Sequence, residues 1–357
     1  MADRIAPRDD IAMMDGYHSP QVAVDVRLNT NESPLPPPQA FLDAVAAEVA
    51  ATNWNRYPDR AASALRAALG LLHGVTADQV FVANGSNEVL QTLSLTYGGP
   101  GRAIAVFEPT YAMHSQIARI TGATVAVGDR GAGLALDLDE VRRVIAESSP
   151  AITYLCSPNN PTGMVESAET VAEVLELVEG IGGLLVVDEA YGQFAPWSAL
   201  ELLSEDRPLV VTRTYSKTWS MAAARLGYLI GPSWVVAELE KVVLPYHLDA
   251  LKQAAGRIAL DFVDDMEQRV SILTEERGRV DAALRDLPCE VWPSAANFIL
   301  FRPTGRDADA VWQALVDRSV LVRNCSGWPG LSGCLRITIG TRDEDDRFLT
   351  ALREVLS

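Results

Sequence analysis

Two residues of this sequence stand where their types could do chemistry, each at the end of an apolar run. Leu209-Val210-Val211-Thr212-Arg213-Thr214-Tyr215-Ser216 leads into Lys217, and Gly183-Leu184-Leu185-Val186-Val187 leads into Asp188, with Tyr191 close behind. An amine just beyond a strand can form a Schiff base with a carbonyl, and a carboxylate can keep a pyridine nitrogen protonated. Together they are the protein half of pyridoxal phosphate chemistry, which also needs a seat for a phosphate.

The string Asn84-Gly85-Ser86-Asn87-Glu88 offers one. A glycine between a strand and a helix lets the backbone turn closely, so that the first-turn amides and the Ser86 hydroxyl face an anion, aided by the helix dipole. The same string also reads as an ordinary helix cap. Arg225 adds a guanidinium with two parallel donors, and its small or apolar neighbours, Ala222 to Ala224 and Leu226-Gly227, argue against a simple surface cation. Thr214 and Ser216 contribute hydroxyls. The run into Asp188-Glu189 also matches the acid pair that holds magnesium in nucleotide hydrolases, but no G-x-x-x-x-G-K-[ST] string accompanies it.

The elements that must position these residues follow from periodicity. Apolar runs at 79–83, 103–107, 125–127, 151–155, 184–187 and 209–212 alternate with amphipathic stretches such as Ser86 to Leu95 and Tyr111 to Ile120. Runs of this kind suit strands buried on both faces, and the alternation predicts an α/β domain with a mainly parallel sheet over about residues 46–265. Ligands of such sheets collect beyond the carboxyl ends of the strands, where Asn84, Pro109, Asn160, Asp188 and Lys217 all fall. The remaining residues, 1–45 and 266–357, read as a smaller α+β domain with an N-terminal arm. It includes helices over Arg269 to Leu287, Ala308 to Arg318 and Glu344 to Leu356, with strands near 298–301, 320–323 and 334–339. Pro34-Leu35-Pro36-Pro37-Pro38 is a stiff linker.

Composition narrows the function classes. At 357 residues, 48% of them apolar, the chain is long enough for roughly two domains with substantial cores. Thirty Lys and Arg against 47 Asp and Glu leave a formal charge of −17, which disfavours nucleic acid and anionic lipid as partners. Cys156, Cys289, Cys325 and Cys334 have neither zinc nor disulfide spacing, and His73, His114 and His247 lack a partner at metal-ligand spacing, so no metal site is expected. No signal core or apolar run of membrane-spanning length occurs, and the expected location is the cytoplasm.

Four motifs in order resemble the signature of class I/II pyridoxal phosphate aminotransferases of fold type I: Ser157-Pro158-Asn159-Asn160-Pro161-Thr162-Gly163, Val187-Asp188-Glu189-Ala190-Tyr191, Tyr215-Ser216-Lys217 and Arg225-Leu226-Gly227. More narrowly, Leu28 to Pro34, Arg56-Tyr57-Pro58, Leu244-Pro245-Tyr246-His247 and Leu335 to Gly340 resemble the histidinol-phosphate aminotransferases, over nearly the whole chain. The resemblance implies a seven-stranded-type large sheet and a catalytic set of Lys217, Asp188 and Tyr191. Lys217 would carry the cofactor and move a proton at the substrate carbon, and Asp188 would hold the pyridine nitrogen. Asn160 and Tyr191 would bond the phenolic oxygen, and Tyr111 would stack on the ring. Gly85, Ser86, Asn87, Thr214, Ser216 and Arg225 would hold the phosphate, joined by Tyr57 from a second subunit of a homodimer. Arg336 would grip one end of the substrate, while Tyr17, Arg323 and Asn31 would lie near its distal phosphate. The implied reaction is amino transfer between L-histidinol phosphate and 2-oxoglutarate in histidine biosynthesis. An aromatic or other small amino-acid aminotransferase is the alternative. The chain departs from the family at Thr218 to Ala224, where a Phe and Gly-rich stretch is usual, and at Asn87, where Asp is common.

Overall fold

A computed structural model describes residues 5–12, 14, 16 and 21–357. A short first strand, β1 (Val26–Leu28), precedes the strands of the large sheet. These are β2 (Val80–Ala83), β3 (Ala103–Glu108), β4 (Thr124–Asp129), β5 (Ile152–Cys156), β6 (Leu184–Asp188), β7 (Leu209–Thr214) and β8 (Gly227–Ile230). Then come β9 (Cys289–Val291), β10 (Phe298–Pro303), β11 (Val320–Asn324) and β12 (Leu335–Thr338).

The large sheet is seven-stranded, in the order β2-β8-β7-β6-β5-β3-β4. Its pairs are parallel except those of β8, which runs against both β2 and β7. Every residue of β5, β6 and β7 is buried, because helices cover both faces. Alternate side chains therefore enter different cores. Ile104, Val106 and Val186 pack on one face with Leu90 and Leu93, whereas Ala105, Phe107, Leu185 and Val187 pack on the other with Val171 and Leu175. The result is the expected mixed α/β architecture with a mostly parallel sheet.

Sequence periodicity passes over β8, since Gly227-Tyr228-Leu229-Ile230 is short and follows a polar motif. The strand exists because the chain turns back after β7. Arg225 takes a left-handed φ of 51° that closes the excursion, and Thr214 then pairs with Gly227. Lys217 sits in that excursion, pinned at both ends by the sheet.

The smaller sheet has the order β1-β11-β12-β10-β9, antiparallel but for β1 beside β11. One face packs on the long helix Val263–Arg285 and the terminal helix Arg342–Leu356 through Ile299, Phe301, Ile337 and Phe348. The long helix starts before Arg269 and ends before Leu287. The terminal helix begins at Arg342, capped reciprocally by Thr341 and Glu344, a Thr-x-x-Glu signal that marks its start better than the apolar pattern.

Candidate active site

The carboxyl ends of β3, β5, β6 and β7 open onto a cavity of about 460 Å³, closed on the far side by the segment 30–32 and by β11 and β12. That volume lies within the roughly 300–1,000 Å³ of small-molecule sites. Ser86, Asn87, Tyr111, Asn160, Asp188, Tyr191, Thr214, Ser216, Lys217, Arg225, Arg323, Arg336 and Asn31 all line it, which brings most of the sequence-derived candidates into one place.

At one end the chain forms an anion cradle. Gly85, at φ 82°, precedes the helix Ser86–Tyr97. A Cβ on Gly85 would come within 3.0 Å of Arg225 Nη2, and one on Gly227 within 2.3 Å of the Ser86 nitrogen, so both glycines keep room for the cradle. Arg225 Nη1 donates to Ser216 Oγ at 3.3 Å, and the Ser216 N–H donates to Thr214 Oγ1 at 3.1 Å. Tyr111 precedes the helix Met113–Ile120 and donates its hydroxyl to Asn87 Oδ1 at 3.0 Å.

At the other end Asp188 closes β6, almost fully buried. The Ala190 N–H donates to its Oδ1 at 3.1 Å, and His114 Nε2 lies 3.0 Å from its Oδ2. His114 is fully buried, stacks on Tyr154 with ring centroids 4.7 Å apart, and has no hydrogen-bond partner at Nδ1 among the described residues. The geometry therefore puts the imidazole proton at Nε2, donated to the carboxylate. Sequence reading treats His114 as structural; its partner lies 74 residues away, so no local spacing reveals it.

Lys217 Nζ donates to the carbonyls of Thr30 at 3.2 Å and Asn31 at 2.8 Å and lies 5.7 Å from the Tyr191 ring centroid. Burial, and then the guanidinium groups of Arg336 and Arg225, lower its pKa to about 7 against the opposing pull of Glu32. Burial pushes the Tyr191 hydroxyl above its ordinary value, with Arg336 and Asn31 acting the other way. Arg336 Nη1 donates to Asn160 Oδ1 and its Nη2 to the Asn29 carbonyl at 3.1 Å. Arg323 faces it as its register partner on β11, and Trp328 lies against both guanidinium groups at 5.3 and 5.9 Å.

Two candidates stand apart. Tyr57 is 80% exposed and stacks on Tyr246 at 4.5 Å, outside the cavity of its own chain. Tyr17 lies outside the described residues. Trp328 lines the cavity without having been singled out in the sequence, and Thr30 and Glu32, noted there only as part of the Leu28 to Pro34 motif, line it as well.

A lysine with a lowered pKa, a buried carboxylate at the opposite end and an anion cradle fit a pyridine ring that bears a phosphate and a carbonyl. The family model described as aminotransferase class I and II matches residues 23–352. The chain belongs to that family. This aminotransferase is 46% identical to the histidinol-phosphate aminotransferase of Frankia casuarinae, over 100% of the chain and 91% of that relative. It is 44% identical to the enzyme of the same name from Streptomyces avermitilis, over 99% and 97% of the two chains. The structure of histidinol-phosphate aminotransferase from Sinorhizobium meliloti in complex with pyridoxal-5'-phosphate has the same fold, with a TM-score of 0.90 at 23% identity over 99% and 98% of the chains.

Proposed function

We propose that this aminotransferase exchanges an amino group between L-histidinol phosphate and 2-oxoglutarate, yielding imidazole-acetol phosphate and glutamate, as a step of histidine biosynthesis. Its cofactor is pyridoxal 5'-phosphate. When bound, the cofactor supplies an electron sink for charge that develops at the substrate carbon.

The residues of the chain divide the remaining work. Lys217 holds the cofactor carbonyl and moves the proton at the substrate carbon, for which an amine with a pKa of about 7 is suited near neutrality. Asp188, oriented by His114, keeps a proton on the ring nitrogen. Amides at Ser86 and Asn87, the turn at Gly85, the hydroxyls of Thr214 and Ser216 and the Arg225 guanidinium hold the phosphate. Because Arg336 occupies Asn160 Oδ1, the Asn160 amide hydrogens are left to donate to the phenolic oxygen, beside Tyr191. Tyr111 covers the ring. In a homodimer the exposed Tyr57 reaches the phosphate of the neighbouring site. The lobes divide near residues 46 and 265, with the cavity between their sheets. Among the described residues no helix is long and apolar enough to cross a membrane, in keeping with a cytoplasmic enzyme.

The observation that carries the substrate assignment is the pairing of Arg323 and Arg336. These two guanidinium groups are 8% and 5% exposed and face the cavity that holds Lys217. A substrate phosphate would meet two guanidinium groups on that wall, and glutamate would offer its carboxylates to the same wall in the other half-reaction. Trp328, against both guanidinium groups, offers an apolar wall for a flat heterocycle. Histidinol phosphate is expected to exceed phenylalanine and tyrosine in kcat/KM by about 100-fold, the worth of one or two charge-assisted hydrogen bonds. Equal efficiency with an aromatic amino acid would overturn the substrate assignment while leaving the reaction class intact.

A further inference from the structure

Asn31 is buried, takes a left-handed φ of 54° and lies among hydrogen bonds whose directions can be worked out. Its backbone N–H donates to Thr338 Oγ1 at 2.9 Å. The Thr338 hydroxyl thereby accepts one bond and sends its own proton to Asn31 Oδ1 at 3.1 Å. That fixes which end of the carboxamide is which, so the Asn31 Nδ2 group faces Tyr191 and donates to its hydroxyl oxygen at 2.9 Å. An amide nitrogen cannot accept a proton. The Tyr191 hydroxyl must point elsewhere, and that hydroxyl has no other hydrogen-bond partner among the described residues. Its ring edge is held against Phe298 at 5.0 Å, and the direction left open is the cavity.

We infer that Thr338 and Asn31 form a two-step relay that aims the Tyr191 proton into the cavity, making Asn31 a positioning residue for the donor that meets the cofactor's phenolic oxygen. This rests on the proposed role of Tyr191. Without the relay a tyrosine hydroxyl is free to turn and to present a lone pair to that oxygen, which repels rather than stabilises it. The relay also ties the two sheets together. Thr338 stands on β12 two residues beyond Arg336, so the strand that reads the substrate also sets the polarity of a cofactor contact. The same turn supplies the Asn31 carbonyl that accepts from Lys217 Nζ and, at 3.2 Å, from Asn297 Nδ2.

The test is the pH midpoint of the visible absorbance change of the cofactor-loaded protein. A donor to the phenolic oxygen stabilises its ionised form and keeps the midpoint low. Arg336, Asp188, Lys217 and Cys156 face Tyr191 and act whichever way its hydroxyl points, so neutral substitutions compared with one another isolate the relay. Tyr191→Phe should raise the midpoint by about one pH unit, the worth of a hydrogen bond to a charged oxygen. Asn31→Gly, which tolerates the left-handed backbone and keeps the carbonyl for Lys217, should reproduce most of that rise. Thr338→Val should raise it as well, and Thr338→Ser should leave it in place. In a Tyr191→Phe background, Asn31→Gly should add nothing. If Tyr191→Phe moves the midpoint and Asn31→Gly does not, or if the Asn31→Gly shift persists undiminished without the Tyr191 hydroxyl, the relay is overturned. A midpoint that Tyr191→Phe leaves unmoved overturns the role of Tyr191, and the relay with it.

Discussion

The two walls of the cavity are built in different ways. On the large-sheet side each candidate residue stands at or after the end of its own strand: Ser86 after β2, Tyr111 after β3, Asn160 after β5, Asp188 at the end of β6 and Lys217 after β7. A parallel sheet delivers these side chains to one edge whatever the intervening helices contain. The opposite wall is assembled from distant pieces. Asn31 bonds Thr338 across 307 positions, Arg336 bonds Asn160 across 176, and Lys217 reaches the Asn31 carbonyl across 186. In the proposed function, one wall would serve the chemistry common to all substrates and the other would decide which substrate is accepted.

The comparison can be broken most sharply at Lys217. With its pKa lowered to about 7 rather than near the ordinary value of 10.5, its neutral fraction at pH 7 should exceed that of an exposed lysine by about a thousandfold. The sign is that of a base held below its usual value: reactivity rises as pH climbs through 7 and is lost below it. Labelling of Lys217 by an amine reagent in cofactor-free protein should be half-maximal near pH 7; a midpoint above 9 would remove the electrostatic argument. Next, Asp188→Ala should lower kcat by about a hundred- to a thousandfold for every substrate alike, as expected when a preorganised charge at the reacting ring is lost. A loss confined to one substrate would contradict the division between the walls.

Arg336→Lys should act in the opposite manner, raising KM by about 10- to 100-fold with a smaller change in kcat, because an ammonium cannot copy the fork that bonds Asn160 and the Asn29 carbonyl. A pure kcat effect would move Arg336 to the common chemistry. The smallest expected effect concerns the neighbouring subunit. Mixing Lys217→Ala protein with Tyr57→Ala protein, each inactive alone, should recover about a quarter of the wild-type activity once subunits have exchanged, since one site of each hybrid is then intact. No recovery after demonstrated exchange would keep Tyr57 out of the site.

The same contrast explains what the sequence discloses. Asp188 and Lys217 are legible because a buried strand leaves an unbroken apolar run with a polar residue at its end. β8 is not, because its four residues carry no period of their own and are extended only by pairing with β2 and β7. His114 reads as an isolated histidine on an amphipathic helix, and only the order β6-β5-β3 in the sheet puts it against Asp188. Arg336 and Arg323 emerge through resemblance to a family, yet their direct opposition depends on the register of β11 and β12, which no local pattern encodes. Tyr57 is the converse case. Its motif stands out in the sequence, but within its own chain it lies on the surface beside Tyr246.

The central claim is that Lys217 is the amine that holds the cofactor, and one measurement addresses it directly. Protein loaded with pyridoxal phosphate, reduced with borohydride and digested, should carry the pyridoxyl mass on the peptide containing Lys217 and on no other. Addition of glutamate before reduction should abolish that label, as expected if an amino donor displaces Lys217. A label on a different lysine, or one that survives glutamate in full, would contradict the account.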